Sequence, residues 1–157
     1  MMKFVGIDPG KSGALAVIET HDGQPPIIST LAFDPKNPNV FVSEIHGLSY
    51  CASRCFVVVE NVHAMPKQGV SSSFNFGRSF GWILGLLDFA CLPYELVNPQ
   101  KWKKEFSCMS DKNTSIAVAK RLFPTANLMR TERCTTPHDG ICEALLMAEY
   151  GRRRYGI

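Results

Sequence analysis

Lys3-Phe4-Val5-Gly6-Ile7-Asp8-Pro9-Gly10-Lys11-Ser12-Gly13-Ala14-Leu15-Ala16-Val17-Ile18-Glu19 is the stretch that decides the fold. Its first part is a short apolar run that reads as a strand over 3–8. Pro9 to Gly13 supplies turn residues, and 14–19 reads as the returning strand of a hairpin. The first strand closes on a carboxylate, Asp8, where an apolar residue is expected. An isolated buried charge is expensive unless it is paired or coordinates a metal. The same anomaly recurs twice. Phe56-Val57-Val58-Val59 runs into Glu60, and an apolar helical stretch near the C-terminus carries Asp139 and Glu143.

Working outward, residues 27–33 form a plausible third strand and 34–39 a Pro/Asn loop. A helix is expected over 40–52. Residues 56–60 read as a short strand, continuously apolar up to Glu60, as in the centre of a sheet covered on both faces. A Gly/Ser-rich loop over 61–73 leads to a long apolar helix ending near Ala90, with Phe76 read as core. Along it Gly77, Gly81 and Gly85 recur every four residues, a row that permits close helix packing. A strand at 94–97, a short helix at 101–106 and a helix capped by Ser110 or Asp111 follow. Pro137 is placed at the start of a last helix running to about Tyr150. This order gives one α/β layered domain over residues 1–157, built on a mixed central β-sheet flanked by α-helices.

The 157 residues carry a formal net charge of +3, unevenly spread. The first 60 lean acidic, while 101–133 hold eight Lys or Arg, and Arg152, Arg153 and Arg154 follow. A basic second half facing an acidic cluster fits a polyanionic substrate with metal between them. The six cysteines include no zinc quartet, and most read as small buried hydrophobes of a reducing, cytoplasmic compartment. No signal peptide precedes the first strand, and no apolar run reaches membrane-spanning length.

Asp139 and Glu143 lie four apart, so a helix turns both to nearly the same side. Asp8 and Glu60 end strands that a sheet could place side by side. Four carboxylates converging from three elements repel strongly unless cations sit among them. Hard oxygen ligands favour Mg²⁺ over zinc, with Mn²⁺ as a substitute. Two such ions suit in-line displacement at phosphorus. Lys112 opens a helix and could meet the scissile phosphate, or it is an ordinary surface lysine. The loop after Glu60 contains Met65, Lys67 and Gln68 and leads to Phe74; it could wedge into distorted DNA or be a plain surface loop. Arg78, Lys101, Lys103 and Lys104 complete the candidate DNA contacts. Gly10-Lys11-Ser12 is no nucleotide P-loop, because Val5 stands where that motif needs glycine and a strand follows the turn.

Together these motifs resemble the RuvC-like Holliday junction resolvases. The resemblance rests on residues 6–14, Val58-Val59-Glu60, the 65–70 loop, Trp102-Lys103-Lys104-Glu105-Phe106, Lys112 and the 138–146 ending. The loop and the ending look closest to the phage, bacterial and chloroplast branch, a resemblance that admits a phage gene as the source. The resemblance implies a ribonuclease H-like fold and a homodimer that nicks opposing strands of four-way junction DNA. It also implies two metal ions per site, held by Asp8, Glu60, Asp139 and Glu143, with His138 an alternative third ligand. Lys112 takes the assisting basic position. The glycine-row helix is a plausible dimer surface, or equally core. Two other readings stand beside this one: a non-catalytic junction-binding module of the same fold, and a fragment of an actin-like or sugar-kinase phosphotransferase.

Overall fold

The computed structural model describes residues 1–63, 69–108 and 111–156, and of Lys112 the backbone alone. The hairpin is there: β1 (Met2–Asp8) pairs antiparallel with β2 (Ala14–Thr20), which pairs antiparallel with β3 (Ile27–Ala32). On its other edge β1 runs parallel to β4 (Cys55–Glu60), and β4 runs parallel to β5 (Tyr94–Val97). The sheet order is therefore β3-β2-β1-β4-β5, with β1 at the centre.

Strand alternation sorts the core into two layers. Val5, Ile7, Leu15, Val17, Val57 and Val59 point to one face, covered by α1 (Pro38–Ser49) and α2 (Val70–Phe89). Phe4, Ala14, Ala16, Ile18 and Val58 point to the other, covered mainly by α5 (Asp139–Tyr155). Behind α5 lie α3 (Pro99–Glu105) and α4 (Lys112–Leu122). Here glycine at position 6 is a packing requirement. A Cβ on Gly6 would overlap the Ala144 carbonyl oxygen and crowd the Ala148 nitrogen at 2.5 Å. Small residues on both elements let α5 lie directly on β1.

Several boundaries differ from the sequence reading. The Gly/Ser segment enters α2 already at Val70, where the Ser73 amide bonds the Gly69 carbonyl at 2.9 Å. Phe74 thus stands on a helix, 69% exposed, and Phe76 is half-buried in a surface cavity rather than in the core. The helix expected to reach residue 52 stops at Ser49, followed by a short 3-10 turn over Ala52–Arg54. His138, not Pro137, caps α5, its Nδ1 accepting from the Ile141 amide at 3.3 Å. That helix continues to Tyr155 because Arg152 and Arg153 fold back on buried Glu149 at 2.7 and 2.8 Å. Cationic side chains there also favour the negative end of the helix dipole.

Candidate active site

Parallel pairing sets the site. Ile7 lies opposite Val59 in register, so Asp8 and Glu60 leave the carboxyl ends of adjacent parallel strands together. In open α/β sheets that edge is where ligands bind. The close seat of α5 on β1 brings the start of that helix to the same place: a Cβ on Gly140 would meet Asp8 Oδ2 at 3.0 Å. Asp139 occupies the first turn of α5 and Glu143 the next.

Electrostatics record the convergence. The Asp8 carboxyl is pushed up to about 7, first by burial, with the charges of Glu60, Glu143 and Asp139 adding to it and the Gly10 amide opposing. That amide donates to Asp8 Oδ1 at 2.9 Å. Glu60 is also raised, by burial and then by Glu143, against a hydrogen bond from Trp102 and the charge of Lys103. The neighbouring carboxylates therefore disfavour ionisation of Asp8 and Glu60, an arrangement that hard cations relieve.

Three side chains from α3 and α4 already answer this charge. Trp102, fully buried, donates its Nε1–H to Glu60 Oε1 at 3.2 Å. Lys103 Nζ lies 2.9 Å from Glu143 Oε1. Ser115, fully buried on α4, reaches the same oxygen at 3.4 Å. Sequence reasoning missed Ser115 as a participant, and nothing local marks it. Trp102 had one available signal, since a buried indole N–H needs an acceptor.

The candidate DNA contacts divide. Lys103 turns inward to Glu143, and Lys101 lies 3.5 Å from Glu95 on the surface. Lys104, Phe74 and Arg78 are exposed. Met65, Lys67 and Gln68 lie outside the described residues, as does Ser110. Lys112 opens α4 one turn before Ser115, with Asp111 as the cap: its carboxylate accepts from the Asn113 amide at 3.0 Å. Among the described residues, no three His, Cys, Asp or Glu side chains stand close enough to cage an ion as they are.

No protein-family model matches the sequence, and no curated protein matches it either. Solved structures do. RuvC of Thermus thermophilus, in complex with a Holliday junction substrate, superposes with a TM-score of 0.64 at 16% identity, covering 98% of this chain and 97% of that one. The fold is that of RuvC. A second Thermus thermophilus RuvC structure matches with a TM-score of 0.58 at 19% identity, again over 98% and 97% of the two chains. The RuvC architecture, a mixed five-stranded sheet between helices, accounts for the whole order of elements described above. Among the described residues no helix is long and apolar enough to cross a membrane.

Proposed function

We propose that this protein is a metal-dependent, structure-selective DNA endonuclease that resolves four-way junctions, close to the phage, bacterial and chloroplast branch of the RuvC-like enzymes. One observation carries the reading. On a RuvC fold, Asp8 and Glu60 end adjacent parallel strands at the carboxyl edge of the sheet, and burial, with the charges of Glu60, Glu143 and Asp139 adding to it, raises Asp8. DNA binding alone gains nothing from concentrating negative charge. The neighbouring RuvC bound to a junction substrate supports branched DNA as the ligand.

The donor set, all carboxylate oxygens, fits Mg²⁺ or Mn²⁺. Asp8, Glu60, Asp139 and Glu143 would hold the ions, while His138 already spends its Nδ1 on the helix cap. When bound, such ions supply an activated water and neutralise the leaving oxygen. The protein's own groups do the positioning. Trp102 fixes one oxygen of Glu60, and Ser115 fixes Glu143. Lys103 neutralises Glu143 in the metal-free protein, and a divalent ion held there would take over that role and free the lysine for the DNA backbone. Lys112, at the opening of α4, serves the scissile phosphate.

Two active sites acting as a pair need a second copy. Phe74, Gly77, Gly81, Gly85 and Phe89 make an exposed strip along α2, and nothing lies within 4 Å of a Cβ built on any of the three glycines. That strip supports a homodimer through α2.

The test compares a labelled four-way junction, a linear duplex and a flap with and without Mg²⁺ or Mn²⁺. Paired nicks in the junction that need the ion, and that Asp8→Asn reduces at least about a thousandfold, are expected. The reading fails if Asp8→Asn cleaves like the wild type. The Lys103–Glu143 pair favours one rival, a junction-binding module without catalysis. Tight junction binding with no nicking in either ion would select it.

A further inference from the structure

One cavity lies not among the carboxylates but beside them, and the nuclease reading does not use it. It encloses about 660 Å³ between the turn that follows Asp8 and one face of α2. That size lies within the range of small-molecule sites. Phe33, Phe76 and Trp82 line it, with Lys11 and Arg78 among its polar groups and Asn75 beside them. None of the described residues that line it is acidic.

Two of its walls are held by packing and hydrogen bonds. The Trp82 ring lies 5.5 Å from Phe33 and 6.0 Å from Phe41, centroid to centroid, and Phe41 is core. The turn carrying Lys11 is closed by the Gly13 amide on the Gly10 carbonyl at 2.8 Å and tied to Asp8 by the Gly10 amide at 2.9 Å. Lys11 is thus held three residues from the carboxylate at the centre of the site. Aromatic faces beside cations, without acids, are what an unpaired nucleotide requires: stacking for the base and positive charge for its phosphate.

We propose that this cavity binds one unpaired nucleotide of a DNA strand, its base against Phe33, Phe76 and Trp82 and its phosphate between Lys11 and Arg78. The inference rests on the nuclease reading, since it takes the same strand past Asp8 and places a neighbouring nucleotide here. Duplex DNA keeps its bases stacked, so only a strand with an extruded or unpaired base fills the site. The cavity then contributes to choosing branched over linear DNA.

Trp82 is its own reporter, because Trp102 is fully buried elsewhere. Tryptophan emission is followed in metal-free protein as single-stranded tetrathymidylate is added, and again with an abasic tetramer of equal charge. Saturable quenching by tetrathymidylate, about tenfold tighter than the abasic tetramer, is expected from one stacked base. Lys11→Ala/Arg78→Ala, which alters two exposed side chains and leaves the core intact, is expected to weaken it about tenfold. Trp82→Phe is expected to abolish the signal. Equal affinity for the two tetramers, unchanged binding by the double variant, or a signal surviving Trp82→Phe would each overturn the proposal. So would emission that tracks protein concentration without DNA, which would mean a second copy covers the cavity. Ion-dependent junction nicking with no tetrathymidylate binding sinks this inference and leaves the nuclease standing; binding without nicking does the reverse.

Discussion

Asp8 concentrates the physics of the site in one side chain. Its carboxyl rises from an ordinary 3.8 to about 7 in the folded protein, chiefly through burial. The sign of the stability effect follows. Below pH about 4 the group is protonated folded and unfolded, and no penalty exists. Between about 4 and 7 the unfolded chain releases a proton that the folded chain keeps, so stability falls as pH rises; above 7 the loss is constant. The shift corresponds to roughly 2–4 kcal/mol once the water still reaching half-buried Asp8 is allowed for. Melting curves in EDTA are therefore expected to drop across that window, with excess Mg²⁺ restoring the loss above pH 7 and Asp8→Asn flattening the profile. A metal-free protein equally stable at pH 4.5 and pH 8 would contradict this. Legibility at this scale was uneven. Asp8 and Glu60 stood out because each spoils an apolar strand. Ser115 did not, because a serine inside an amphipathic helix looks the same whether it meets water or Glu143.

At the scale of elements, the strongest constraint is the seat of α5 on β1. Gly6→Ala puts a methyl into the Ala144 carbonyl, a backbone group that cannot rotate away. The helix must lift, at a cost of about 3 kcal/mol, near the upper end of ordinary overpacking. Urea unfolding is expected to show that loss, and metal affinity by calorimetry to fall with it, since the same helix carries Asp139 and Glu143. The elements themselves were largely readable: short apolar runs gave the strands, and turn residues separated them. Helix ends were read less well. The start of α2 hid in a Ser-rich run that suits loop and first turn alike, and the end of α5 depended on Glu149 meeting Arg152 and Arg153. Which carboxylates meet was legible only through the strand-end positions and the four-residue spacing. The parallel register that joins Asp8 to Glu60 is a long-range fact no local pattern contains.

For the molecule as a whole, the open question is what covers α2. Gly77, Gly81 and Gly85 face open space, and glycine in an exposed helix interior costs about 1 kcal/mol against alanine. Replacing all three with alanine is expected to raise the stability of the isolated chain by about 2–3 kcal/mol while weakening self-association, as read by sedimentation over a dilution series. Tighter association in the triple variant would remove α2 from the dimer surface. The seat of α5 on β1 has one further consequence, in the order of synthesis. Among the described elements β1 is made first and α5 last, and Gly6 waits for Ala144 and Ala148 across nearly the whole chain. Contacts of such long sequence separation form late. Until residues 139–143 have been made, Asp8 and Glu60 have neither Asp139 nor Glu143 near them. Docking of α5 on β1 thus covers one face of the sheet and brings Asp139 and Glu143 toward Asp8 in the same step.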